Sequence, residues 1–413
     1  MWHNPIMLMN LLNKIDFLRE DRILSAIQDN FGLEVFTPGL ERTKELYKPF
    51  KEFFKKNNTK ILTVAGTNGK GQVCLTLESL LNHSNYSTAL WTSPHILSIK
   101  ERFRYNGDEI SYDDLEELIE STSSEVLLYP FKISFYEFLF LVFLKWIGFK
   151  KCDFLLLEVG LGGRFDAVNH FDNDLSIITS ISRDHQAILG NRFDLILHEK
   201  LGITRRERPL LTAFNLSYLV DEVTLFCEKN KIPYKNIKSN DHYFFSNQKL
   251  AIEALKSLGV KFNEKMTIPV FKARDEIIKN GGNDFLFIGA HNPDGMRKTM
   301  SYVRDQKSNF DIILASFSKR EASDINSMIN TILESKGSNL TFILTHFDHP
   351  KALPMSIFED VLKNIKDNNQ ISFSENWKKF LDGIKDSKPE KKILVVGSYY
   401  FIGEVQRFLF THS

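Results

Sequence analysis

From Lys60 onward, short runs rich in β-branched and other apolar residues alternate with segments whose apolar residues recur at helical spacing. That alternation is the signature of parallel strands joined by helical crossovers, since a tight turn cannot return a chain parallel to itself. The expected strands are ILTVAG, STALWTS, CDFLLLEVG, LSIITSIS and RPLLTAF, then FLFIGA, FDIILASF, LTFILTHF, QISFS and KKILVVGS. The pattern weakens after Phe214 before it resumes, and 413 residues are too many for one compact core, so two α/β units are expected. The join is expected within residues 260–279, where MTIPVFKARDE carries a proline and lacks helical periodicity. Placing it near Phe271 gives an N-terminal domain over 1–270 and a smaller one over 271–413.

Hydrophobic residues, at 43%, suffice to fill both cores. A formal net charge of +1 argues against a general basic surface for nucleic acid or anionic membrane, so an anionic ligand must be held by local geometry. Cys74, Cys152 and Cys227 are scattered without CxxC spacing, which argues against a zinc site or disulfide framework and fits the cytoplasm. The start, MWHNPIMLMNLLNKID, lacks the basic residues, apolar run and cleavage site of a secretory leader. The most apolar segment, 135–149, is interrupted by Glu137 and Lys145 and is too short to span a bilayer; it reads as a buried helix.

Five segments carry candidate chemistry. In ILTVAGTNGKGQ a strand runs into Gly66, Thr67, Asn68, Gly69, Lys70, Gly71 and Gln72, and VCLTLESLLNHS continues with helical spacing. Strand, glycine turn and helix start is the build of a phosphate cradle, in which unpaired N–H groups and a lysine face the anion. The spacing GxxGKG is shorter than the strict GxxxxGK, and Gln72 follows where a magnesium-binding Ser or Thr is usual. In CDFLLLEVGLGGRFDAVN, Glu158 ends a strand at the edge where parallel sheets bind ligands, and as a hard oxygen donor it suits Mg²⁺. SIITSISRDH brings His185 to the end of the next strand, and HEKLGI places Lys200 beyond it. Lys200 reads as a cation for phosphate, as a neutral amine reactive toward CO₂, or as a solvated surface residue, and the sequence leaves these open. In FLFIGAHNP, His291 and Asn292 follow a strand, as ligand contacts or as an Asn-Pro turn.

In this order, GLERTKEL, TVAGTNGKG, TSPHILSIKERF, SFYEF, LLEVGLGGRFDAVN, the Asp-His and Leu-Gly of DHQAILG, HEKLGI, AHNP and GSYYFIGEV resemble the folylpolyglutamate synthase/dihydrofolate synthase family, a branch of the Mur ligases. The resemblance implies a P-loop-type ATPase domain, a Rossmann-like C-terminal domain and a site in the cleft between them. It implies that ATP phosphorylates a carboxylate of dihydropteroate or a reduced folate, and that the amine of L-glutamate attacks the acyl phosphate. Carried over by position, Ser93, Glu158 and His185 hold magnesium, Lys200 is carbamoylated by CO₂, and Arg274 and His291 reach ATP. Lys70, Lys200 and His291 are thus the expected catalytic groups, in a cytoplasmic monomer.

Three positions depart from the family pattern: Gln72 for serine, Ile288 for an aspartate, and Ser318-Lys319-Arg320 for Asp-Lys-Asp. They motivate an alternative, a descendant that binds nucleotide or folate without ligating. A Mur-type ligase with another acceptor is a third reading, opposed by TSPHILSIKERF and EVGLGGRFDAVN.

Overall fold

The computed structural model describes residues 15–35, 37–148, 150–239, 242–264, 266–305, 310–335, 340–364, 371–385 and 388–412. The leader expectation falls on residues 1–14, outside this set, as do Phe149 and Gln370 at the ends of expected elements. The chain divides into two compact units, one of Asp16–Pro269 and one containing Val270–Ser413.

The first unit holds β1 (Lys60–Ala65), β2 (Thr88–Trp91), β3 (Phe103–Tyr105), β4 (Asp108–Glu109), β5 (Phe154–Glu158), β6 (Leu175–Ile178), β7 (Leu210–Thr212) and β8 (Tyr234–Asn236). They form one sheet in the order β4-β3-β2-β5-β1-β6-β7-β8. All neighbouring pairs from β2 to β8 are parallel, while β3 and β4 add an antiparallel edge. Central strands of such a sheet are covered on both faces, which is why β5 and β6 read as continuous apolar runs. Alternation still assigns the faces: Leu155 and Leu157 enter one core, Phe154 and Leu156 the other.

One face is covered by the helix Phe135–Ile147, whose Phe138, Phe140 and Phe143 are fully buried. Its interrupting Glu137 closes a capping box with Ser134 and pairs with Arg42 at 2.7 Å, so the charge satisfies the helix start instead of breaking the core. The other face is covered by the helices Lys70–His83 and Tyr243–Ser257. β1 lies between β5 and β6, with Val64 opposite Glu158 and Ala65 opposite Ile178, so the segments that follow these three strands leave the sheet at one edge. There the chain order reverses, the position where open α/β sheets bind ligands.

The second unit holds β9 (Arg274–Asn280), β10 (Asn283–Gly289), β11 (Ile312–Ser316), β12 (Thr341–Thr345), β13 (Ile371–Ser374) and β14 (Lys392–Gly397), in the order β13-β12-β11-β14-β10-β9. It is parallel apart from β9, which runs antiparallel to β10. The Arg274-Asp275-Glu276 of KARDE, expected within the join, therefore opens a strand. Its polar residues are explained by the fold: Glu276 is buried and accepts from Ala273 N at 2.8 Å and Gln406 Nε2 at 2.7 Å.

Ile288 is 1% exposed and belongs to the apolar cluster of this unit with Leu286, Ile313, Leu394 and Val396. A side chain there must be apolar. Ile288→Val should cost about 1 kcal/mol, and Ile288→Asp, which buries a carboxyl in an apolar layer, about 3 kcal/mol or more, read by denaturant unfolding.

Candidate active site

The turn after β1 is shaped by two glycines. Gly66 (φ 149°) and Gly69 (φ 91°) lie where L side chains are strained. A Cβ on Gly66 would fall 1.9 Å from Thr179 Oγ1, and one on Gly69 2.7 Å from Asn247 Nδ2. The close approach lets the segment after β6 grip the loop. Thr67 N donates to Ser180 O (2.8 Å), Asn68 N to Ser180 Oγ (2.9 Å), and Thr179 Oγ1 to Asn68 O (2.6 Å). The first intrahelical bond of Lys70–His83 is Val73 N to Gly69 O at 3.0 Å. Lys70, Gly71 and Gln72 therefore present N–H groups with no intrahelical acceptor at the positive end of a helix.

Two lysines converge on this loop. Lys70 Nζ donates to Gly66 O at 3.2 Å and Thr67 O at 3.3 Å, while Lys200 Nζ donates to the same Gly66 O at 3.0 Å. Lys200 projects from the helix Phe193–Leu201 and is 3% exposed. Burial, reinforced by the neighbouring Lys70 charge and opposed by Asp184, Asp166 and Glu199, lowers its pKa to about 7. Of the readings open from sequence, the solvated surface lysine is excluded.

Glu158, at the end of β5, is buried, and its Oε2 accepts from the Thr92 hydroxyl and, at 3.0 Å, from Ser93 N. Ser93 is thus held beside Glu158 through its backbone N–H, and the Glu158 carboxylate is a hard oxygen donor of the kind that fits Mg²⁺. His185 bonds within its own turn: its N donates to Asp184 Oδ1 at 2.8 Å and its Nε2 lies 3.7 Å from that oxygen. Among the described residues, no three His, Cys, Asp or Glu side chains are grouped to hold a metal.

Gln72 departs from expectation. Its side chain is 2% exposed, accepts from Asn247 Nδ2 at 2.7 Å and donates to Phe244 O at 3.3 Å. Both ends of the amide are engaged by the helix Tyr243–Ser257, so the side chain is a structural link and the position contributes to the cradle through its backbone N–H.

In the second unit, His291 follows β10 with its ring 5.3 Å from that of Tyr399. Asn292 is buried and caps the next helix, its Oδ1 accepting from Gly295 N at 2.8 Å, which is the turn reading of this segment. Arg274 opens β9 and donates to Lys272 O at 3.0 Å. Ser318 Oγ meets Ser398 Oγ at 2.7 Å, and Lys319 N donates to Lys351 O at 2.8 Å.

Residues 273–408 match the family described as dihydrofolate synthetase, C-terminal domain. A dihydrofolate synthase/folylpolyglutamate synthase of Bacillus subtilis (strain 168) is 26% identical over 429 residues, spanning 92% of this chain and 96% of that protein. Over nearly its whole length this chain is thus similar to dihydrofolate synthase/folylpolyglutamate synthases, and its C-terminal part matches the C-terminal domain of that family. Two solved structures share its two-domain α/β fold. A bifunctional folylpolyglutamate synthase/dihydrofolate synthase with Mn, AMPPNP and L-glutamate bound is 20% identical, with TM-score 0.76, covering 93% of this chain and 97% of that one. Escherichia coli FolC in complex with DHPP and ADP is 23% identical, with TM-score 0.76, covering 94% and 96%.

The structure adds residues that the sequence did not single out. Asp166 is buried, accepts from Gly160 N (2.9 Å), Leu161 N (3.1 Å), Val168 N (3.1 Å) and Tyr136 OH (3.2 Å), and thereby folds the GLGGR turn beside Glu158. Burial raises it to about 6 against the pull of these bonds. Asp184 and Asp166 also supply the opposing charge for Lys200. An acidic residue inside a glycine-rich loop was the available signal.

The Lys200 shift has a definite sign. The folded pKa of about 7 lies below the ordinary 10.5, so between these values the unfolded chain binds more protons and stability rises with pH; below about 7 both states are protonated. In CO₂-free buffer, wild type should gain up to about 1.4 kcal/mol per pH unit more than Lys200→Met across that window, measured by denaturant unfolding.

Proposed function

We propose that this chain is an ATP-dependent ligase that adds L-glutamate to dihydropteroate or a reduced folate through an acyl phosphate. The convergence of Lys70 and the helix-start N–H groups that lack intrahelical acceptors on the Gly66 turn carries the reading, since it prepares one place for a polyphosphate. The similarity to these synthases supplies the substrates.

Lys70 and the N–H groups of Lys70, Gly71 and Gln72 hold the β- and γ-phosphates. Ser93 Oγ and the Glu158 carboxylate hold Mg²⁺, which when bound neutralises charge on the transferring phosphoryl group. The acceptor carboxylate attacks the γ-phosphorus and the bond to ADP breaks. The neutral amine of glutamate then attacks the acyl carbon, phosphate leaves, and the amide nitrogen loses a proton. His185 is assigned to the metal, and Arg274 and His291 to ATP, by resemblance alone.

Lys200 acts as its carbamate. With a pKa of about 7, a large share of its amine is neutral near pH 7 and adds to CO₂, forming an N–C bond and releasing a proton. The product is an anion beside Lys70, able to support the metal held by Glu158. We place the activity in the cytoplasm as a monomer; the three cysteines, free and buried, are consistent with a reducing compartment. Among the described residues no helix is long and apolar enough to cross a membrane.

The test supplies ATP, Mg²⁺ and glutamate with each acceptor separately and follows nucleotide and product mass. ADP and phosphate should form in step with a product heavier by one glutamyl residue. Acceptor-dependent AMP would refute the acyl phosphate, and nucleotide binding without turnover on any acceptor would favour the non-catalytic alternative. Lys70→Ala and Glu158→Ala should each lose at least about two decades of kcat, by the cost of deleting a charge-stabilising group.

The carbamate has its own readout. Protein equilibrated with ¹³C-bicarbonate should show a carbamate carbon signal that Lys200→Ala lacks, and a small carboxylic acid should restore part of that variant's activity. Full wild-type activity after exhaustive CO₂ removal would rule out a catalytic carbamate.

A further inference from the structure

The Gln72–Asn247 contact joins two buried amides where the helix Tyr243–Ser257 meets the Gly66–Gly69 turn. Asn247 is 7% exposed and does two things there. Its Nδ2 donates to Gln72 Oε1 at 2.7 Å, and its amide lies so close to Gly69 that a Cβ would stand 2.8 Å from its Oδ1. Gln72 completes the link by donating to Phe244 O at 3.3 Å, one turn earlier on the same helix. Gly69, left-handed at φ 91°, is the N-cap from which the N–H groups of the cradle are aimed. The position of that cap is therefore set from below by the Thr179–Ser180 bonds and from the side by Asn247.

We infer that Asn247 is a positioning residue of the phosphate loop, acting through Gln72 and Gly69, and that Gln72 serves the site as this brace instead of as a metal ligand. The inference rests on the nucleotide-binding reading above for its functional consequence, though not for its structural one. A buried amide–amide bond between an N-cap turn and a neighbouring helix fixes both distance and orientation, and removal of one partner leaves the other unsatisfied. A serine at position 72 is too short to reach Asn247 and Phe244 as the glutamine does. Gln72→Ser, which by sequence pattern alone should improve nucleotide use, is expected here to impair it.

The test compares wild type with Gln72→Ser, Asn247→Leu, the double variant Gln72→Met/Asn247→Leu, and Leu250→Ala. The last removes buried volume from the same helix-to-core contact while leaving both amides in place. Hydrogen exchange at the Thr67 and Asn68 amides, which are bonded to Ser180, reports opening of the loop in the free protein. Affinity for AMPPNP with Mg²⁺ and the KM for ATP report its function. Gln72→Ser and Asn247→Leu should each speed exchange and weaken nucleotide binding by about tenfold, the equivalent of one lost buried hydrogen bond. KM should carry the effect, with kcat within about twofold, and the double variant should be no worse than Asn247→Leu, because the pair acts as a unit. Leu250→Ala should lower the unfolding midpoint yet leave exchange at Thr67 and Asn68 and nucleotide affinity within about twofold.

Unchanged loop exchange in Asn247→Leu, an equal response from Leu250→Ala, or tighter nucleotide binding in Gln72→Ser would each overturn the inference. A loop that opens as expected in a protein whose wild type binds no nucleotide would uphold the brace and refute the nucleotide reading.

Discussion

The carbonyl oxygen of Gly66 receives ammonium hydrogens from both Lys70 and Lys200. Burial strips water from the Lys200 ammonium, and the neighbouring Lys70 charge adds to that cost, so the Lys200 pKa is lowered to about 7. The arrangement requires that Gly66 carry no side chain, because Thr179 occupies the space where a Cβ would be.

The segments around that point are loops, and loops leave backbone N–H groups without ladder partners. Here buried carboxylates take them up. Glu158 accepts from Ser93 N, Asp166 from Gly160 N and Leu161 N of the GLGGR turn and from Val168 N, and Glu101 from Ile96, Leu97 and Ser98 N at 2.8, 3.0 and 3.2 Å. Glu20, from the helix Phe17–Phe31, accepts from Ile99 N and from Ser98 Oγ and Tyr112 OH at 2.9 Å each. Arg102, fully buried, is held bidentate by Glu34 at 2.9 and 3.0 Å. Much of TSPHILSIKERF and EVGLGGRFDAVN is therefore occupied in shaping its own loop. Charged residues in a site-forming segment divide into those that hold the backbone and those left to meet a ligand, and burial with backbone partners marks the first kind.

The strands were legible where they were central. ILTVAG, CDFLLLEVG and KKILVVGS are covered on both faces and must be apolar throughout, so they stand out from any amphipathic helix. β3, β4 and β8 were not seen, because two or three residues are too few to display a period. β9 was missed for a different reason: RDEIIKN is an edge strand whose buried Glu276 is satisfied by Gln406, a residue far along the chain. Of the candidate site, the cradle, Glu158 and Lys200 were legible by their place after strands. Asp166 was not singled out, because its place in a glycine-rich loop is a weak signal until its backbone partners Gly160, Leu161 and Val168 are known.

The sequence by itself determined the α/β class, the placing of glycines and polar residues at strand ends, and the set of blocks that resemble the family. These depend on local periodicity and on residues adjacent in the chain. Tertiary structure decided what the same residues do. It turned the Gln72 side chain toward Asn247, buried Ile288 in an apolar layer, and brought the Lys200 amine, from a helix distant in sequence, to the carbonyl of Gly66 beside Lys70. Protonation, side-chain direction and partner choice are set by desolvation and by groups distant in sequence, so they exist only once the fold has brought those groups together.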